Sequence, residues 1–248
     1  MALVPFLLAL LGAIVGSFLA TLVVRWPEGR SVVRGRSACD GCGRTLAVRD
    51  LVPLLSALAS RGRCRTCGGR IDPVHGRVEL ACAAVGLAAG LAAPWPQAVA
   101  GAAFGWLLVA LAALDWRAFW LPDRLTGALA LGGLIGGVAG LAPALADRLI
   151  GGAAGFGSLW TVSAGYRLLR GREGMGGGDP KLLGAIGLWL GWRPLPAVLV
   201  LAGMIGLGVV LFRRVRGEAV AADDALPFGT LMAAAAYPAW IVMVSAAP

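Results

Sequence analysis

This chain of 248 residues has little charge. Only 14% of it is Asp, Glu, Lys or Arg, and it holds a single histidine. A soluble domain clothes its core in ionised side chains; here 58% of residues are hydrophobic and mean hydropathy is +0.80, which excludes one. No basic residue precedes the first apolar run, Leu3 to Val24. The charged start of a secretory signal is therefore missing, and the run reads as a retained span. No Gly-Lys-Ser or Gly-Lys-Thr follows the glycines at 174–178 and no strand pattern precedes them, which argues against a nucleotide-binding loop. No internal repeat is evident.

What is present is a series of apolar runs that match the hydrocarbon core of a bilayer, about 30 Å thick. Eight spans are expected, at 3–24, 78–93, 97–114, 125–141, 148–168, 181–192, 195–212 and 228–246. The fold class is thus an all-α polytopic membrane protein with about eight transmembrane helices and a small zinc-ribbon-like insert after the first. Three parts follow: residues 1–24, the first helix; 25–77, the insert; and 78–248, the remaining membrane bundle. The net charge of +9 could suggest a nucleic-acid partner, but the arginines fall in loops between spans, where the positive-inside rule accounts for them. With 25–77 in the cytoplasm, alternation places 20 of the 22 cationic side chains inside and leaves Arg148 and Arg193 outside. The bilayer is then the expected partner, with both termini outside.

Glycine is abundant, with 38 residues. Runs such as Gly132-Gly133, Gly136-Gly137 and Gly151-Gly152 suit helices that approach closely in lipid, where small residues supply the contact. The glycines at 174–178 end in Asp179, and a second acid, Asp115, closes the third apolar span. A charged carboxylate costs about 2.5–3.5 kcal/mol at the centre of a membrane helix and less near the interface, so such an acid suggests function. In the expected topology both lie just inside the cytoplasmic boundary. Two carboxylates in proximity do not both ionise cheaply, and one can stay protonated as an acid while the other activates water. Asp179 followed by Pro180 also fits a helix N-cap. Asp115 faces the negative end of its helix dipole, which is unfavourable without a purpose or a partner such as Arg117. Asp123, after Pro122, reads as the N-cap of the fourth span, and Asp223 and Asp224 as residues of a solvated loop.

The insert carries Cys39-Asp40-Gly41-Cys42 and Cys64-Arg65-Thr66-Cys67, with 21 residues between the pairs. Paired knuckles of this kind read as a Zn²⁺ site of Cys39, Cys42, Cys64 and Cys67, and a reducing cytoplasm argues against two disulfides. A redox dithiol is the competing reading, without a thioredoxin-like pattern around it. An insert of about fifty residues has little core of its own, so metal would supply much of its folding energy. His75 is read as a surface or membrane-interface residue, since four cysteines complete the shell, and Cys82 as a small buried apolar one.

These residues resemble the type IV prepilin peptidases, membrane aspartyl proteases of the GxGD type, over nearly the whole length. The resemblance is carried by Gly16-Ser17-Phe18-Leu19 with Arg25-Trp26-Pro27, the two cysteine pairs with Asp50-Leu51-Val52-Pro53-Leu54-Leu55-Ser56 between them, Leu114-Asp115 followed by Leu121-Pro122-Asp123, Gly176-Gly177-Gly178-Asp179 with Lys181-Leu182-Leu183, and Leu226-Pro227-Phe228-Gly229. It implies that Asp115 and Asp179 form a catalytic dyad. The dyad would cleave the leader of type IV prepilins or type II secretion pseudopilins at the cytoplasmic face of the bacterial inner membrane. It further implies N-methylation of the new terminus with S-adenosylmethionine, an activity associated with the cysteine-bearing part. No glycine-rich loop places the methyl donor, and nothing singles out Glu173 or Glu218 for leader binding. The chain departs from the family pattern at Arg117, Pro180, Asp40, Arg49-Asp50-Leu51 and Val74-His75-Gly76. Other readings of the residues are a peptidase with a purely structural zinc domain, a proton- or cation-coupled transporter and a zinc-dependent scaffold.

Overall fold

A computed structural model describes residues 3–32, 36–172, 174–218 and 225–246. Arg34, Glu173, Asp223 and Asp224 lie outside the described residues. Nine α-helices are formed among those described: α1 (Leu3–Arg25), α2 (Leu55–Ala59), α3 (Val74–Ala92), α4 (Gln97–Ala118), α5 (Asp123–Val138), α6 (Leu145–Arg170), α7 (Gly178–Leu190), α8 (Leu195–Val215) and α9 (Phe228–Ser245). The only β pairing among them is two isolated bridges, Ala38 with Thr45 and Arg63 with Arg70.

Each expected apolar run falls on one long helix, and α2 is a short addition within the insert. Five of the helices (α1, α3, α4, α8 and α9) are long and apolar enough to cross a membrane. The α5 and α7 helices have only 16 and 13 residues, and α6 carries Asp147, Arg148, Arg167 and Arg170. Large apolar side chains such as Leu7, Leu10 and Ile14 of α1 and Met204, Leu207 and Leu211 of α8 point outward, as surfaces that face lipid do. The protein is an all-helical, multi-pass membrane protein.

Two compact units divide the chain, Met1–Ala113 and Leu114–Pro248, and α4 runs from the first into the second. In the first, α1 packs against α3. A methyl group on Gly12 or Gly86 would run into the carbonyls of Cys82 and Leu8, and one on Gly90 would stand 2.5 Å from the Pro5 Cα. As the α1 number rises the α3 number falls, so the two helices are antiparallel. Cys82 is fully buried, as expected, and its carbonyl accepts the Trp106 indole N–H at 2.8 Å.

In the second unit α7 is the central element, packed by α5, α6 and α9. Ten of its 13 residues are buried, which leaves little of it for solvent or lipid. It runs antiparallel to α6. Gly151 meets Gly187 backbone to backbone, and a methyl on Gly155 would stand 2.6 Å from the Leu183 carbonyl. The Trp189 indole donates to the Leu129 carbonyl of α5 at 2.6 Å. Arg148 is 2% exposed and directs its guanidinium only at carbonyls. It donates to Pro143 (2.9 Å), Gly133 (2.9 Å), Leu188 (3.0 Å), Leu141 (3.3 Å) and Ala142 (2.8 Å). Five donors find five acceptors, the full capacity of the group, and the α5–α6 connection is tied to the last turn of α7.

The expected N-cap role of Asp123 does not hold. Helical bonding begins at the carbonyl of Pro122, which accepts from Leu125 and Thr126, so Pro122 is the cap and Asp123 the first helical residue. Its carboxylate instead meets Lys181 Nζ at 2.6 Å.

Because the α6–α7 contact is backbone to backbone, Gly151→Ala should lower the Tm of purified protein, with a cost of about 1–3 kcal/mol for overpacking. The matched control is Gly157→Ala, where a methyl finds no atom within 4 Å. It should leave Tm unchanged or raise it, since alanine is the better helix former. Equal thermal shifts for the two would contradict the close approach.

Candidate active site

Four helix ends meet at the pole of the second unit opposite Arg148. They are the last turn of α4 with Asp115, and the first turns of α5, α7 and α9, with Asp123, Asp179 and Gly229-Thr230. The Lys181–Asp123 pair joins the starts of α7 and α5. Leu121 wedges between α7 and α9: a methyl on Gly178 would lie 2.8 Å from its Cβ, and one on Gly229 would lie 2.9 Å from its Cδ1. Glycine at both places lets the two helix starts close around this side chain.

Asp115 is 5% exposed and Asp179 7%. The two carboxyls are near enough for the Asp115 charge to act on Asp179. Capping does not account for Asp179. The N-cap of α7 is Gly177, without any side-chain cap bond, and Asp179 lies two residues further on with its carboxyl bonded by the Gly176 amide.

Asp115 resolves an apparent conflict. At the C-terminal end of α4 its charge opposes that helix dipole, but its Oδ2 accepts the Thr230 amide at 2.7 Å and the Thr230 hydroxyl at 3.2 Å, and the Gly229 amide also bonds it. These amides belong to the first turn of α9, where N–H groups have no helical acceptor and the dipole is positive. Pro227, the residue at the cap, brings no side-chain bond, so the carboxylate of a distant helix does the capping. Gly229 is required by this approach, because a methyl there would stand 3.0 Å from Asp115 Oδ2. Sequence reading singled out Phe228-Gly229 only as part of a resemblance and passed over Thr230. Its signal was a hydroxyl residue directly after a proline-begun, glycine-containing helix start.

The second constellation lies in the first unit. The Sγ atoms of Cys39, Cys42, Cys64 and Cys67 lie within 4.8 Å of one another, with Cys39 and Cys67 at 3.9 Å. Metal–sulfur bonds of about 2.3 Å in a tetrahedron put sulfurs about 3.8 Å apart, so the donor set fits one tetrahedral ion. The two knuckles are built alike. Gly43 N–H bonds the Cys39 carbonyl and Cys39 N–H the Arg44 carbonyl, while Gly68 and Cys64 make the same two bonds with Cys64 and Gly69. Both Gly43 and Gly68 have φ of 69°, a left-handed turn that glycine adopts without strain. Amides of Cys67 and Thr66 bond the Cys64 sulfur and bring its thiol down to about 6, which favours the thiolate a metal needs. His75, half-buried in the first turn of α3, is not part of the cluster.

Residues at which the chain departs from the family pattern hold this unit together. Asp50 accepts from Arg44 at 2.9 Å and pairs with Arg65 at 3.2 Å, one arginine from each knuckle. Burial opposes its charge, yet the Ala47 amide and the two arginines keep it below the ordinary carboxylate range. Asp40 pairs with Arg30 at 2.6 Å and Arg25 at 3.7 Å, fastening the first knuckle to the foot of α1. Buried Glu79 accepts the Leu54 amide at 2.8 Å. Glu218, at the other end of the chain, pairs with Arg213 at 3.7 Å.

Asp50→Asn should therefore weaken metal retention about tenfold to a hundredfold in a competition titration against a chelator, the usual cost of losing a supporting group around a metal shell. Cys64→Ser, which removes a donor outright, should lose more. Unchanged retention in Asp50→Asn would show that the knuckles do not depend on the clamp.

Comparison with known proteins bears on the family of the chain. Residues 10–93 match the model of the Bacterial Peptidase A24 N-terminal domain and residues 102–211 that of the Type IV leader peptidase family. A prepilin leader peptidase/N-methyltransferase of Burkholderia pseudomallei (strain 1026b) is 44% identical over 202 residues, 80% of this chain and 64% of the relative. The chain thus spans less than two thirds of that relative's length. Proteins of the same name from Dickeya chrysanthemi (37% over 252 residues, 91% of this chain and 88% of the relative) and Pseudomonas aeruginosa (36% over 265 residues, 95% and 88%) are matched more fully. No solved structure matches the chain significantly. With both family models in order along the chain and relatives of this identity covered to nearly nine tenths of their length, the protein belongs to the type IV leader peptidase family.

Proposed function

We propose that the protein is a membrane aspartyl endopeptidase that removes the leader of a type IV prepilin or a type II secretion pseudopilin, with Asp115 and Asp179 as its dyad. The observation that carries this reading is the meeting of two buried carboxyls at one pole of the second unit, close enough to interact electrostatically. In this reading residues 78–248 are the peptidase part. The distribution of arginines turns this pole to the cytoplasm, in the inner membrane of a bacterium.

The chemistry needs one carboxylate and one carboxylic acid. The carboxylate takes a proton from water as the water oxygen bonds to the scissile carbonyl carbon. The acid gives its proton to the carbonyl oxygen. When the tetrahedral intermediate collapses the C–N bond breaks, the amine leaves with the proton held by the first aspartate, and the second recovers its own from the hydroxyl. Neither a covalent intermediate nor a metal takes part in these steps. The open backbone around Gly176 and Gly177 suits the approach of an extended peptide.

The four thiolates of residues 25–77 would hold Zn²⁺ in a structural role. The relatives' names add N-methyltransferase activity, and we extend it to this chain: S-adenosylmethionine would supply a methyl group to the amine freed by cleavage. Retention of the cysteine cluster supports that second step, which residues 25–77 would serve. A transporter is a poorer account, because both acids lie at helix ends rather than midway through a span.

Mass spectrometry of a co-expressed pilin-like precursor separates the activities. Wild-type protein should yield a product lacking its leader and heavier by one methyl group, and Asp115→Asn or Asp179→Asn should leave the precursor intact while still inserting into the membrane. Leader loss without added mass would identify a peptidase alone. Processing at the wild-type rate by both variants would remove the dyad.

A further inference from the structure

We propose that Thr230 is a positioning residue for this reaction, holding Asp115 as the member of the dyad that keeps its charge and takes the proton from water. The inference rests on the aspartyl peptidase reading and adds a division of labour to it. It concerns α9, which lies beyond the residues matched by the peptidase family model.

The two carboxyls have unequal surroundings. Asp115 is met by the Thr230 amide, the Thr230 hydroxyl and the Gly229 amide, at the positive start of a helix of 18 residues. Hydrogen-bond donors aimed at a carboxylate favour its ionised form, as does a helix N-terminus. Burial presses both carboxyls toward the protonated form; Asp179, met by the amide of Gly176, bears the charge of Asp115 in addition, and a neighbouring negative charge favours its protonated form further. The amides are fixed by the backbone of α9, whereas the Thr230 hydroxyl is a side-chain donor that mutation can remove. Both Thr230 bonds fall on the same oxygen, Oδ2. The titratable group that faces Asp115 from α7 is Asp179. The α9 helix itself carries only Tyr237, two turns further along.

The arrangement also fixes where the carboxylate stands. Gly229 and Leu121 close on it from one side, so losing the hydroxyl would loosen its aim without opening its packing. A structural role for Thr230 would show itself in stability. A positioning role shows itself in turnover.

The test is steady-state cleavage of a purified pilin-like precursor by the full-length protein in detergent, with kcat, KM and Tm measured for each variant. Thr230→Val keeps the shape and the backbone amide and removes the hydroxyl. Its kcat should fall about tenfold to a hundredfold, the effect of one hydrogen bond to a charged group, with KM within about twofold and Tm unchanged. Thr230→Ser, which restores the hydroxyl, should return kcat to within about threefold of wild type. Should the valine variant not accumulate, Thr230→Ala replaces it with the same expectation against serine. Wild-type kcat in Thr230→Val, a serine variant as slow as the valine one, or a change confined to KM would each overturn the proposal while leaving the peptidase reading in place. Normal cleavage by Asp115→Asn and Asp179→Asn would overturn that reading, and this one with it.

Discussion

A carboxylate taken out of water must find donors elsewhere, and at Asp115 they come from the first turn of α9. This one interaction decides much about the second unit. It brings a residue at the end of α4 against the start of a helix more than one hundred positions later in the chain. It turns an unfavourable placement on one dipole into a favourable placement on another. It also requires that nothing bulky stand between them, which is why the residue before Thr230 is a glycine. The chemistry proposed for the dyad depends on a contact that is, in its physics, a helix cap.

That contact is possible because α7 is nearly enclosed. Its neighbours reach it through glycines whose hydrogen atoms point at opposing backbone, and without a hydrophobic force between helices in lipid this closeness supplies the cohesion. Asp179 takes its place from the same packing. It rides on the first turn of an element whose following residues, Leu182, Leu183 and Ile186, are wholly buried. The acid therefore shares the rigidity of the helix below it, although it lies beside an irregular glycine run. A site that needs two oxygens held within reach of one peptide bond is served better by helix ends than by loops.

Features that repeat locally, or that pattern by composition, were legible in the sequence. Eight apolar runs each fell on a helix, five of them long and apolar enough to cross a membrane, the paired cysteines converged, and the two acids arrived at one pole. What escaped was every interaction that depends on which distant backbone group comes near. Proline before Asp123 suggested a cap at the wrong residue, because the helix takes its first carbonyl from the proline itself. Arg117, the basic neighbour weighed as a partner for Asp115, is adjacent in sequence, yet the donors identified at that carboxylate belong to α9. Asp40 and Asp50 looked like departures from a family pattern and are joints, one to the foot of α1 and one between knuckles. Arginine at 148 could be placed outside the cytoplasm by charge counting, but nothing in its neighbourhood announced five carbonyls.

Those five carbonyls have a further consequence. A guanidinium stays protonated across the physiological range, and its acceptors here are neutral dipoles that cannot titrate. Acidification takes no counter-ion away from this joint, and dissolved salt has little exposed charge to shield. The far pole of the unit is thus held by a clasp indifferent to the medium, while the pole that bears the dyad is built around buried acids.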